Sequence, residues 1–91
     1  MKVILDGRNM TSKESLHAYV KEAFQFPESY GNNLDALSDL LTERAEALEI
    51  ELIYAEEVKE RLCGYGEAFI ETLQDAAAEN KSLTLKFTES R

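Results

Sequence analysis

Apolar residues recur along this chain with two different periods. Leu48, Ile50, Leu52 and Tyr54 alternate with Glu49 and Glu51, and Leu83, Leu85 and Phe87 alternate with Thr84 and Lys86. That is the period of two expected of a half-buried strand. Residues 2–6 (KVILD) read as a third strand, ended by Gly7. Elsewhere the period lengthens to that of a helix. "TSKESLHAYVKEAF" places Leu16, Tyr19, Val20, Ala23 and Phe24 on one face, with Thr11 and Glu14 in capping-box spacing at its start. Phe26-Pro27 stops this helix, because the residue before a proline avoids the helical region. After the loop "PESYGNN", Asn33 is placed to cap a second helix in which Leu34, Leu37, Leu40 and Leu41 form an apolar arc. A short helix near 56–63 and a longer one near 67–79, with Phe69, Ile70, Leu73, Ala76 and Ala77 inward, complete the series. Gly64 and Gly66, on either side of Tyr65, read as the end of one and the start of the next.

The element order is βααβααβ. Strands joined through helices run parallel as a rule, with right-handed crossovers. Glu49 and Glu51 on the second face of their strand predict water on that side, so helices should cover only the other. The expected architecture is α/β: a two-layer domain with a three-stranded parallel sheet and helices on one face. A length of 91 residues with 44% apolar content supplies one core and is too short for two. Residues 1–91 are therefore expected to form a single domain.

Charge narrows the partner. A net charge of -8 repels a phosphate backbone and an anionic bilayer alike, so neither nucleic acid nor membrane is expected, and a basic protein is. The start, "MKVILDGRNM", has three consecutive aliphatic residues before Asp6, far short of a signal peptide or a span. The single cysteine, Cys63, can form no intrachain disulfide, in keeping with a reducing cytoplasm. With one histidine, His17, and one cysteine there is no zinc-type ligand set, and no metal or cofactor is expected. His17 lies one position off the apolar face of the first helix and reads as a structural or surface residue. Cys63 reads as a buried or partly buried residue at a helix end.

The second helix carries the chemistry. Opposite its leucines, Asp35, Asp39, Glu43 and Glu46 form an acidic stripe, and the only cation in the segment, Arg44, projects toward the leucines. Like charges at i,i+4 destabilise a helix by about 0.2–0.5 kcal/mol per pair. Elsewhere the chain pairs its charges, with Glu57 and Arg61 at i,i+4 and Glu56 and Lys59 at i,i+3. A second unpaired run, Glu67, Glu71, Asp75 and Glu79, follows the last long helix. Either both runs are solvated faces that keep a small protein soluble, or the missing cations belong to another molecule. A hydrolase that uses Asp35 and Asp39 as a carboxylate pair is a further alternative, but a convex helix face without histidine or basic residues offers no pocket to tune them.

The stretch "FPESYGNNLDALSDLLT", with the pattern PE-x-YG-x-NLDAL-x-D-x-L, resembles the signature of the barstar family, intracellular inhibitors of secreted barnase-type ribonucleases. The likeness extends to the "DG" after the first strand and to "LQDAAAE" before the last. The resemblance implies a non-enzymatic, cytoplasmic inhibitor, monomeric when free, whose partner is a basic, extracellular-type, guanyl-specific ribonuclease. Asp39 stands where the family places the aspartate that enters the enzyme's active site as a phosphate surrogate, and Asp35 where a second aspartate binds the enzyme. Tyr30, Gly31, Asn33 and Leu34 match the loop and helix start that plug the cleft. Thr42 matches a peripheral contact, and Asp75 a carboxylate of the last helix. Ser29 and Ser38 stand where the family pattern has a tyrosine and a tryptophan, and the pair Glu43-Arg44 where it has Gly-Trp, so three large aromatics are gone. Their loss keeps open a target that is basic but not a ribonuclease.

Overall fold

A computed structural model of the chain describes residues 1–88. Its elements run β1 (Lys2–Asp6), a 3-10 turn (Gly7–Asn9), α1 (Lys13–Phe24), α2 (Leu34–Thr42), β2 (Leu48–Ile53), α3 (Ala55–Leu62), α4 (Gly64–Glu79) and β3 (Leu83–Thr88). The strands form one sheet in the order β1-β2-β3, and both pairs are parallel. The expected βααβααβ architecture is thus the one observed.

Register explains the core. Val3 pairs with Ile50 and Leu5 with Leu52, while Leu48 faces Leu83 and Ile50 faces Leu85. These side chains make one inward row, and the helices bury it with Leu16, Val20 and Phe24 of α1, Leu37 and Leu41 of α2, Val58 of α3, and Phe69 and Leu73 of α4. Tyr19 ties α1 to the sheet, its hydroxyl accepting the backbone N–H of Asp6 at 2.9 Å. α3 approaches closely on both sides because two glycines lack a Cβ. At Gly7 one would strike the Tyr54 carbonyl and the Val58 side chain, and at Gly66 the Val58 carbonyl.

The second face of the sheet is less wet than its two glutamates predict. Glu49, at the end of β2, remains 47% exposed, but the Glu51 side chain is only 4% exposed. Glu51 lies on the central strand, where neighbours reach it from both sides. Lys2 Nζ of β1 is 3.6 Å from one carboxylate oxygen, and Thr88 Oγ1 of β3 donates to the other at 2.9 Å.

Two boundaries differ from expectation, and a third has a different cause. α1 is capped by Ser12, not Thr11. The Ser12 hydroxyl accepts from Ser15 N–H, and the Ser15 hydroxyl accepts from the backbone N–H of both Ser12 and Thr11, so serine does the work expected of Glu14. α1 ends at Phe24, before Phe26-Pro27, because Gln25 takes the left-handed conformation at φ 58°. α4 begins at Gly64, so neither Gly64 nor Gly66 separates the last two helices. Cys63 makes that junction with a positive φ of 50°, and it is exposed rather than buried.

The C-terminal end of α2 is held from a distance. Its last carbonyls have no partner within the helix, and Asn80, just beyond α4, supplies one. Asn80 Nδ2 donates its two hydrogens to the carbonyls of Leu41 at 2.9 Å and Arg44 at 2.8 Å, with the Thr42 carbonyl a shared, longer acceptor at 3.3 Å. Its Oδ1 accepts from Ser82 N–H. Asn80→Ala removes these bonds, leaving the Leu41 carbonyl only the longer bond from Arg44 N–H at 3.3 Å, and is expected to lower stability by about 1–3 kcal/mol. Urea unfolding measures it, with the exposed Glu79→Ala as the near-neutral control; equal midpoints for the two variants would contradict the clamp.

Candidate functional site: an acidic helix and its loop

The rotation of α2 follows from its leucines. Leu37 and Leu41 are fully buried, Leu34 and Leu40 pack partly against the core, and the remaining face turns outward. Asp35, Asp39 and Glu43 are exposed on that face. Asn33 caps the helix as expected, its Oδ1 accepting from Ala36 N–H at 2.7 Å while Nδ2 donates to the Gly31 carbonyl at 3.2 Å. Asp35 lies in the first turn, where the helix dipole favours an anion. The helix ends at Thr42, so Glu43 is its C-cap and Glu46 lies beyond it, one residue type of the stripe now on the following turn.

Among the described residues these acids have no cationic partner. Among the described residues the ion pairs join Lys2 to Glu49 and Glu51, Arg8 to Asp6, Lys21 to Glu28, Lys59 to Glu56 and Arg61 to Glu57. None involves Asp35, Asp39, Glu43 or Glu46, nor Glu67, Glu71, Asp75 or Glu79, which are all exposed on α4. Arg44 turns away from the stripe, its Nη2 3.2 Å from Met1 Sδ. α2 packs against α4, so the two unpaired runs sit on neighbouring helices.

The loop before α2 is rigidly built. Tyr30 N–H closes a turn onto the Pro27 carbonyl at 3.0 Å. Phe26 stacks on Phe24 with ring centres 5.3 Å apart and meets Tyr30 at 4.9 Å. Asn32 takes the left-handed conformation at φ 55° and turns the chain into the helix cap. Loop and helix together enclose a shallow depression of about 210 Å³, lined by Ser29, Tyr30, Gly31, Ala36, Asp39 and Leu40 among others.

The residues singled out in the sequence divide as follows. Ser29, Tyr30, Gly31 and Asp39 meet at this depression; Asp35 and Glu43 flank Asp39 along the helix; Leu34 and Ser38 are half-buried beside it. Asp75 is on the next helix. Thr42 directs its hydroxyl inward along α2, 2.8 Å from the Ser38 carbonyl. Tyr30 is not an open contact residue. It is 5% exposed, and its hydroxyl lies 2.7 Å from His17 Nδ1.

His17 is what sequence reasoning placed least well. It is 2% exposed, and its Nε2 lies 2.5 Å from the Tyr65 hydroxyl of α4. The available signal was its spacing of three and seven from Val20 and Phe24, which puts it on the buried arc. Burial pushes its pKa below the ordinary 6.5. Burial, and then the neighbouring Tyr65, push the Tyr30 hydroxyl up to about 12; burial also raises Tyr65. All three groups are therefore neutral at neutral pH.

Chemically, the exposed face of α2 offers carboxylates and no base, acid or nucleophile held in a cleft. Among the described residues no group of three or more His, Cys, Asp and Glu side chains could hold a metal ion. No described helix is long and apolar enough to cross a membrane.

Two comparisons with known proteins bear on the site. The family described as Barstar (barnase inhibitor) matches residues 1–88. A Bacillus subtilis protein described as "Putative ribonuclease inhibitor YrdF" is 38% identical over 81 residues, spanning 88% of this chain and 89% of that protein. With the parallel three-stranded sheet, the capped acidic helix and the loop before it already in place, these matches establish that the chain belongs to the barstar family, a family of inhibitors and not of enzymes.

Proposed function

We propose that this protein inhibits a basic, guanyl-specific ribonuclease of the extracellular type by seating α2 and the loop before it in the enzyme's active-site cleft. The observation that supports this reading above all is the unpaired carboxylate face of α2, standing beside a braced loop in a chain that pairs many of its other charges. A ribonuclease has to bind phosphate with cationic side chains. A carboxylate on a rigid helix can satisfy those cations without being cleaved, and the loop then blocks the path of RNA. In this account Asp39 replaces a substrate phosphate and Asp35 pairs with a second cation. Ser29, Gly31, Asn33, Leu34, Ser38, Thr42 and Glu43 form the surrounding contact, and Asp75 contributes from α4. Tyr30 supports the loop from within. The free inhibitor is a monomer in the cytoplasm that binds the enzyme and not the nucleic acid.

A second reading, a basic protein target that is not a ribonuclease, is favoured by one specific feature. Ser29, Ser38 and Arg44 stand where the family pattern has large aromatics, and such residues commonly anchor interfaces. If these positions mark a change of target, Ser38→Trp should tighten the complex with barnase while leaving stability little altered. An unchanged or weaker complex would argue against a change of target at these positions.

Asp39→Ala tests the principal reading. The aspartate is exposed and has no ion pair among the described residues, so the urea midpoint should hold or rise slightly. In the complex the enzyme's cations would lose their partner while still desolvated. The expected loss of binding is about 2–5 kcal/mol, a range carried over from charge-pair truncations to which barnase and barstar themselves contributed. Most of it should appear as faster dissociation in stopped-flow measurements, and association of the unaltered protein should slow with added salt. Glu49→Ala, on the far face of the sheet, is the matched control. Equal dissociation rates for the two variants would sink the proposed role of Asp39.

A further inference from the structure

One side of α1 opens on a cavity that the acidic face of α2 does not reach. Lys13, His17, Ala18 and Lys21, spaced as one side of a helix, join Asn32 of the loop and Tyr65 of α4 around a volume of about 410 Å³. Small-molecule sites typically measure about 300–1,000 Å³. Neither Asp35 nor Asp39 borders it.

The floor is uncharged. Both ring nitrogens of His17 are engaged inside the fold, Nδ1 with the Tyr30 hydroxyl and Nε2 with that of Tyr65, so neither is left for an occupant. The Ala18 methyl, the half-buried Tyr65 side chain and the stems of the two lysines make the wall mostly apolar. An occupant meets flat apolar surface below.

The rim supplies charge. Lys13 has no ion pair among the described residues, and its ammonium stands 4.8 Å from the centre of the Tyr65 ring. Cation–π attraction holds it there, so an arriving anion meets an ammonium already ordered. Lys21, two turns along, is paired with Glu28 at 3.0 Å, which leaves Lys13 as the seat for an anionic head. The exposed Asn32 side chain makes no hydrogen bond among the described residues and has an amide to donate at the same rim. Glu14 is the one acid that lines the cavity, and it opposes the head.

We propose that this cavity binds a small organic anion, one that carries a carboxylate or phosphate head on a flat apolar body. The head pairs with Lys13 and accepts from the Asn32 amide, and the body lies against Ala18 and Tyr65. A bare anion leaves the apolar wall uncovered, and a neutral ring leaves the ammonium unmatched. The net charge of -8 repels anions at long range, but physiological salt screens that field beyond about 8 Å and weakens a contact pair inside a cavity far less. The binding is modest, with a dissociation constant on the order of 1 mM.

Titrating the nitrogen-15-labelled full chain at constant ionic strength tests this without any ribonuclease. Benzoate and phenyl phosphate carry both parts, acetate and inorganic phosphate the head alone, and benzyl alcohol the body alone. Benzoate or phenyl phosphate should give saturating amide shifts at Lys13, Ala18, Asn32 and Tyr65, and the tighter of the two identifies the head. The three partial probes should bind at least about tenfold more weakly. Lys13→Gln should weaken the tighter probe about tenfold and Glu14→Gln should strengthen it about twofold, while Lys81→Gln, exposed and not bordering the cavity, leaves it unchanged. Shifts that do not saturate, a head or body alone that binds as tightly as the whole, or a folded Lys13→Gln with unchanged affinity would each overturn the proposal. Should Lys13→Gln not fold, the five probes on the unaltered protein decide alone.

Discussion

The burial of Leu37 and Leu41 sets the rotation of α2, and the whole acidic face depends on it. Both leucines are fully buried in the core, and α2 packs against α4. Removing each from water is worth about 1.5–3 kcal/mol, against about 0.2–0.5 kcal/mol for an i,i+4 repulsion such as that between Asp35 and Asp39. Packing wins by a wide margin, so the acids are held outward whatever they cost one another. Asn33 fixes the start of the helix and Asn80 its end, each by satisfying backbone groups that the helix leaves unpaired. A helix held at both ends and along one side presents its carboxylates in a fixed array.

The loop is braced in the same spirit but with different chemistry. Phe24, Phe26 and Tyr30 stack, the Pro27 turn closes, and the Tyr30 hydroxyl reaches into a buried polar chain through His17 to Tyr65. A surface already in its bound shape spares the ordering cost that a mobile loop would meet on association. The contrast with the rest of the chain is electrostatic. Arg8, Lys21, Lys59 and Arg61 each sit beside an acid, and even Glu51, enclosed at the centre of the sheet, has Lys2 and Thr88. Among the described residues, charge is left unanswered mainly along α2 and α4.

The fold was legible because its signals were local and periodic. Strict alternation in β2 and β3, the leucine arc of α2 and the Asn33 cap needed only neighbouring residues to be read. What escaped required a partner far along the chain. Glu51 looked solvent-facing because period two reports which face a residue takes, not how tall its neighbours in β1 and β3 stand. Tyr30 was read as part of the plug, yet it turns inward because its hydroxyl bonds His17, thirteen residues earlier. Asn80 gave no hint of its clamp, since its acceptors lie more than thirty residues upstream. The start of α1 was misassigned for a local reason: "TSKES" offers two overlapping caps, and Ser12 with Ser15 satisfied more backbone donors than Thr11 with Glu14.

The claim on which the account turns is that the acidic face of α2 and its loop form the contact surface. Titrating the nitrogen-15-labelled protein with a catalytically inactive guanyl-specific ribonuclease, and following backbone amide shifts residue by residue, addresses it most directly. The account predicts that the largest changes fall on Ser29 to Glu43 and on α4 around Asp75, with Lys2, Glu49, Thr84 and Lys86 on the far face of the sheet unmoved. Changes centred on that far face, with Asp35 and Asp39 unaffected, would contradict it.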